Sequence, residues 1–335
     1  MSDLEAKPST SSSTEPVRVV GPRPPPSFGQ IGAVIGIVLI HVGTIVAFTR
    51  DFTWKLVALA AATYFVRMFA ITGVYHRYFS HRSYKTSRFF QLVLAFLGTT
   101  ATQKGPLWWA STHRVHHRFS DTERDVHSPM QFGFWQSHMG WWLGREHEHT
   151  DFDKIPDFAS FPELRWLDRN HAVGPAVMGT ALYLIGGLDA FLWGYVVSTC
   201  VLMHATFTIN SLAHIFGSRR YATTDTSRNN FWLALITLGE GWHNNHHHYM
   251  NSVNQGFFWW EIDVSYYALR GMSAVGLVWD LRKPSPQVLK RNLLKEVGEQ
   301  SPLLLKQAAA RAAKQKPELH VPLDMQPDAP PPGIG

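Results

Sequence analysis

Residues 31–48 read IGAVIGIVLIHVGTIVAF, and residues 54–75 read WKLVALAAATYFVRMFAITGVY. A helix needs about 20 mainly apolar residues to cross a bilayer. Both runs qualify, the first despite His41 and the second despite Arg67. Only residues 49–53 connect them, which predicts a tight hairpin. Two further runs follow, AVGPAVMGTALYLIGGLDAFLWG (172–194) and YVVSTCVLMHATFTINSLAHIFG (195–217), with a short connection expected near 186–194. Any one of them also suits a buried helix of a soluble core. Two paired runs rich in aromatic and small residues favour a membrane. The predicted fold is an all-α integral membrane protein with four transmembrane helices in two hairpins. The stretch RFFQLVLAFLGTTATQKGPLWW (88–109) is broken by polar residues, Gly105 and Pro106, and reads as an interfacial or partly buried helix.

Composition agrees. The 335 residues include 13 tryptophans, and 17% are charged, against a norm of about 25%. A formal charge of +6 is modest, and no basic patch with interleaved aromatics marks a nucleic-acid partner. An anionic membrane surface suits that charge better. The single cysteine, Cys200, excludes an intrachain disulfide framework.

Charge also orients the chain. Segment 76–170 carries twelve Lys and Arg residues, whereas the turns hold only Arg50 and Lys55. The positive-inside tendency therefore places this segment and both termini in the cytoplasm. The expected organisation is a disordered lead (1–28) and a membrane domain (29–285) with a helical cap at 76–171 and 218–285. A C-terminal helix (286–306) and a disordered tail (307–335) follow. The lead is rich in Ser, Thr and Pro, and the tail ends PDAPPPGIG.

Eighteen histidines are the anomaly. HRYFSH holds His76 and His81, HRVHH holds His113, His116 and His117, and HNNHH holds His243, His246 and His247. In NSLAH, Asn210 and His214 lie four apart. Each histidine alone is more often a hydrogen-bonded polar residue than a ligand. Nine of them at these spacings, where the spans open into the cytoplasm, point to metal. One zinc takes four ligands, so nine imidazoles suit two ions. On a helix, i and i+4 share a face and i+3 points elsewhere. Each His-x-x-His-His box therefore gives its i, i+4 pair to one ion and its i+3 imidazole to the other. Glu146 to His149 is a lone Glu-x-x-His match in a hydrophilic loop and reads as a solvated cluster. His127 and His138 read as structural hydrogen bonders, His41 and His204 as membrane-helix residues, and His248 as the odd one out of its run.

These motifs resemble the membrane-bound fatty acyl desaturases, specifically the stearoyl-CoA (delta-9) group. HRYFSHRSYKT, HRVHHRFSDT, NSLAH and GEGWHNNHH match that group's boxes in order and spacing, and WWEID and GLVWDLRKPSP look like bacterial and plant members. The resemblance covers roughly residues 30–285. It implies a non-haem diiron centre. One iron would take His76, His81, His113, His117 and His246, and the other His116, His214, His243 and His247, with Asn210 through water. It also implies that dioxygen and two donated electrons remove two hydrogens from neighbouring methylenes of an acyl chain, with acyl-CoA the first choice of substrate. Gln103, Trp109 and Thr206 match residues that bend the substrate tunnel in that group. Tyr64 and Met68 would close the tunnel's end, and Arg145 would serve the headgroup. Asp125, Glu240 and Asp263 are candidates for orienting the imidazoles.

There are departures from the group. Met250 stands where a proline is usual, Ser111 and Thr112 precede His113 where animal relatives carry charges, and Glu146 replaces a second cation. These leave an acyl-lipid substrate open. No cytochrome b5 or ferredoxin domain is visible, so electrons are expected from a separate protein of either type. A histidine-rich membrane hydroxylase is the nearest rival, and the five-residue step from His76 to His81 favours the desaturase. A metal transporter would place histidines along a path within the spans, whereas the boxes sit at the ends.

Overall fold

A computed structural model describes residues 27–144 and 148–297. The expected lead up to residue 26, residues 298–306 of the expected C-terminal helix, the tail and Arg145 lie outside the described residues. Among those described, the chain is mostly helical, and three helices are long and apolar enough to cross a membrane.

The first runs Phe28–Phe48 and opens on a capping box. The Ser27 hydroxyl accepts from the Gln30 backbone N–H, and the Ser27 N–H donates to the Gln30 side chain. It presents Ile35, Val38, Leu39 and Ile45 outward, each at least half exposed. A stripe of this kind is stable only against an apolar medium. The second helix runs Trp54–Ser80 and buries Arg67 against its neighbours. The Arg67 guanidinium donates to Thr199 Oγ1 at 2.6 Å, to the Ser198 hydroxyl and to the Thr100 carbonyl, so this charge faces the bundle, as an intramembrane cation must.

The third stretch, Val173–His214, is not one straight rod. Gly186 and Gly187 leave helical geometry, Gly187 with φ +67°, which favours glycine. A Cβ on Gly179 would lie 3.2 Å from the Phe191 ring. In a continuous helix twelve residues advance about 18 Å, so the chain has doubled back. The reversal thus falls at Gly186–Gly187, at the start of the connection expected near 186–194, where two glycines permit it. The arm before the turn covers about 20 Å at 13 residues, less than a hydrocarbon core of about 30 Å. Arg50 Nε donates to Asp189 Oδ1 at 2.5 Å, which joins this turn to the 49–53 turn at one end of the bundle.

Arg88–Thr99 forms the partly buried helix expected of the broken apolar stretch, and Pro106–Phe119 begins a separate helix after it. Lys85–Thr86 pairs antiparallel with Val278–Trp279, pinning the chain after the first histidine box to the C-terminal region. The expected continuous helix from 286 is interrupted. Pro286–Lys290 and Leu294–Val297 are separate turns, and Asn292, at φ +57°, breaks the path between them. The largest apolar core packs Met68, Ile71, Val74, Tyr75, Phe79, Leu94 and Leu107 beneath the histidines.

Candidate metal centre

Four elements deliver the nine imidazoles. His76 and His81 are five apart, a spacing that splays them on an ordinary α-helix. Over Ala70–Ser80 the helix widens to π geometry, and the His81 N–H donates to the His76 carbonyl at 3.2 Å. One wide turn therefore brings the two rings together on one side, edge to face with 4.8 Å between centroids. Box two lies on Pro106–Phe119. Its N-cap, Gly105, has no side chain to satisfy the first N–H groups, and Asp168 Oδ1 accepts from Leu107 N and Trp108 N at 2.9 Å instead. His214 ends the second arm of the hairpin on a 3₁₀ turn, Leu212–His214. His243–His248 is a short buried helix.

The rings converge in two groups. His76, His81, His113, His117 and His246 bring ligand nitrogens within 4.8 Å of one another, and so do His116, His214, His243 and His247. Nε2–Nε2 separations are 3.0 Å for His76–His246, 2.9 Å for His81–His113, 2.9 Å for His117–His246 and 3.1 Å for His214–His243. Neighbouring nitrogens at about 2.1 Å from a shared cation, set at a right angle, would lie about 3.0 Å apart. The Nε2 atoms of His116 and His247 are buried without any hydrogen-bond partner, a costly state for a polar atom unless something binds it. Burial and the neighbouring imidazoles hold His81, His113, His117, His243 and His246 well below the usual imidazole range, hence neutral and able to ligate. The donor set fits two borderline cations, one per group.

The outer nitrogens meet carboxylates. His76 Nδ1 lies 2.5 Å from Glu240 Oε2, His116 Nδ1 2.8 Å from Asp125 Oδ1, His247 Nδ1 2.7 Å from Asp225 Oδ2, and His214 Nδ1 3.3 Å from Asp121 Oδ2. Each such contact fixes a tautomer and aims Nε2 inward. Burial lowers the pKa of His116, but Asp125 outweighs it and leaves it raised. Burial pushes Asp225 up, and His247 and its other donors outweigh that, holding it well below the carboxylate range. Of the three acids expected to orient imidazoles, Asp125 and Glu240 do so. Asp263 does not. It accepts from Arg77 Nη1 at 2.8 Å and from the Tyr266 backbone N–H at 2.9 Å, capping the helix Val264–Ala274. Sequence reasoning missed Asp121 and Asp225. Asp121 sits in the box-two motif and was legible as an acid near His117, while Asp225 lies in a loop with no local signal.

His248 stands apart. It bonds the Val288 carbonyl through Nε2 at 2.9 Å and stacks on Tyr221 at 3.8 Å. Met68, Trp109, Thr206 and Asn210 line one cavity together with His76, His113, His116 and His243. Trp109 stacks on His113, with centroids 4.8 Å apart. Gln103 approaches through its side-chain amide, which donates to Thr206 Oγ1 at 3.0 Å. Tyr64 lies one turn before Met68, and its hydroxyl donates to the Ile236 carbonyl.

The fatty acid desaturase family model matches residues 52–275. Among similar proteins, delta-9 acyl-lipid desaturase 1 of Arabidopsis thaliana is 38% identical over 244 residues, 72% of this chain and 80% of that protein. The sn-1 stearoyl-lipid 9-desaturase of Anabaena variabilis is 35% identical over 246 residues, 72% and 90% of the two chains. The acyl-CoA 5-desaturase AL21 of Anemone leveillei is 37% identical over 246 residues, 72% and 76%.

Proposed function

The chain belongs to the fatty acid desaturase family, and from that premise we propose that it places a cis delta-9 double bond in a saturated acyl chain at a diiron centre. The observation that carries the reading is the convergence of nine imidazoles into groups of five and four beside one cavity. His76, His81, His113, His117 and His246 would hold one iron. His116, His214, His243 and His247 would hold the other, with Asn210 contributing through water. The chemistry supplied there, with dioxygen and two electrons from a separate ferredoxin- or cytochrome b5-type donor, is removal of two hydrogens from neighbouring methylenes. No side chain is basic enough for that step.

What the chain itself contributes is position and dryness. Glu240, Asp125, Asp225 and Asp121 hold four of the imidazoles aimed inward, while burial and the neighbouring rings keep His81, His113, His117, His243 and His246 neutral. Trp109, flat against His113, walls the acyl chain beside the centre, and the Gln103–Thr206 pair sets its bend. Met68, fully buried one turn from Tyr64, closes the far end. A methylene chain offers many similar carbons, so this shape, not chemistry, selects the bond.

The bundle would cross the membrane four times, with the 49–53 and 186–187 turns outside and the histidine-bearing end and both termini cytoplasmic. The Arg50–Asp189 pair supports one shared end for the turns, and the twelve cations of segment 76–170 support a cytoplasmic site. The short arm completes its crossing by local thinning of the bilayer. For the carrier, an acyl-CoA thioester is the first reading. A glycerolipid-bound chain is the second, favoured by two relatives whose names join position 9 to a lipid substrate. Expression in a desaturase-deficient host, with double-bond location in extracted fatty acids, tests the activity. Membranes given labelled stearoyl-CoA, with lipid acylation blocked, separate the carriers. Absence of any new unsaturated product from a metal-loaded preparation refutes the reading.

A further inference from the structure

A third group of donors lies away from the nine histidines, inside the membrane helices. His41, near the middle of Phe28–Phe48, faces His204 on Ser198–Ser211, with Nε2 atoms 3.0 Å apart. Cys200, the chain's single cysteine, is buried one helical turn before His204, so the two share a face. The three ligand atoms lie within 4.8 Å of one another.

The outer nitrogens are already engaged. His41 Nδ1 lies 2.8 Å from the Ile37 carbonyl, which can only accept, so Nδ1 carries the proton and Nε2 presents a lone pair. His204 Nδ1 lies 3.1 Å from His138 Nε2, and His138 Nδ1 lies 3.0 Å from Ser211 Oγ. The Ser211 hydroxyl donates to the Phe207 carbonyl at 3.0 Å. With that bond kept, the proton assignment runs one way. His138 donates from Nδ1, accepts at Nε2 from His204 Nδ1, and leaves His204 Nε2 as a second lone pair. Two lone pairs then face each other across 3.0 Å beside a thiol. Both imidazoles donate their outer N–H, as metal-bound histidines do.

We propose that His41, Cys200 and His204 form a third metal site, for a thiophilic d10 cation, copper(I) in preference to zinc. One thiolate and two neutral imidazoles are soft enough for either ion. Two considerations decide between them. Zinc seeks a fourth ligand, and among the described residues three are gathered here. A thiolate also neutralises copper(I), whereas zinc would leave a net charge among lipid-facing helices, where charge is expensive. Binding releases the thiol proton and transfers no electrons. The site would staple the first membrane helix to the second arm of the hairpin.

The test uses the iron-loaded, detergent-purified enzyme, titrated anaerobically with copper(I) or with zinc. Metal per chain is read by elemental analysis and the ligands by X-ray absorption. The expected result is one added equivalent, iron unchanged, with a sulfur neighbour at about 2.3 Å and copper(I) retained against zinc in competition. Cys200→Ser should lose the sulfur signal and at least tenfold in affinity, and His41→Leu should lose a similar factor from the other helix. Should Cys200→Ser fail to fold, His41→Leu carries the test. No added equivalent, an equivalent bound equally well by the variants, or copper entering only as iron leaves would overturn the site. The three residues would then be a hydrogen-bonded chain in which Ser211 donates to His138.

Discussion

Asp225→Asn and Asp263→Asn should fail in different ways. Asp225 uses both oxygens. Oδ2 meets His247 Nδ1 at 2.7 Å, and Oδ1 accepts from the Ser227 N–H at 3.0 Å and from Thr223 Oγ1 at 3.0 Å. An amide has one acceptor for these two sets of donors and carries no charge, so His247 loses its anion or its alignment. Loss of such an outer partner lowers metal affinity about 10- to 100-fold, about 1.4–2.7 kcal/mol. Asp263 touches Arg77 and the Gln255 and Tyr266 backbone, and no imidazole. Its loss leaves Arg77 partly unpaired in the interior, at a cost of about 3–5 kcal/mol in folding stability. Chelator competition on the iron-loaded protein reads the first effect, and the thermal midpoint of the metal-free protein in detergent reads the second. Asp225→Asn should release metal early with a near-normal metal-free midpoint. Asp263→Asn should melt early, with normal affinity in the fraction that folds. Native metal affinity in Asp225→Asn, or weakened affinity with an unchanged midpoint in Asp263→Asn, would refute the assignment of orienting acids.

Three further outcomes follow from the site. His247→Ala should abolish desaturation and lower bound iron, whereas His248→Ala, which loses only the Val288 contact and Tyr221 stacking, should keep both; equal loss would mean that the box is misassigned. Met68→Ala should lengthen the cavity's closed end and shift the product ratio from palmitoyl- toward stearoyl-derived chains by about 5- to 150-fold, since a methylene contact contributes about 1–3 kcal/mol to discrimination; an unchanged ratio refutes that end wall. In acid, the imidazoles held well below their ordinary value, His81, His113, His117, His243 and His246, take up protons near pH 6.5 only when unfolded. His116, held raised, offsets one of these. The unfolded state binds the more protons, so stability of the metal-free protein should fall as pH drops below 6.5. A thermal midpoint that stays flat from pH 7 to 5 counts against neutral, buried imidazoles.

Length and apolarity of the membrane helices, and the spacing of the two His-x-x-His-His boxes, are local properties. They depend on a period of 3.6 residues, and so were open to reading from the chain alone. Where the period breaks, the sequence is silent. Nothing in HRYFSH says that the helix widens to bring His76 over His81, because that depends on what packs around the wide turn. The hairpin reverses at Gly186–Gly187, within the stretch 186–194 expected to hold the connection, but composition marks the apolar run and not the residue with positive φ. Partners far apart along the chain were decided by tertiary structure alone. Asp225 reaches His247 from a loop, Asp263 turns away to Arg77, and Arg67 finds Thr199 on a distant helix. His41 and His204, read singly as polar residues in apolar helices, meet at 3.0 Å only because two helices 163 positions apart pack side by side. Residue type and period establish which groups can do chemistry. Which of them meet is set by long-range packing, for which no short stretch of sequence carries a signal.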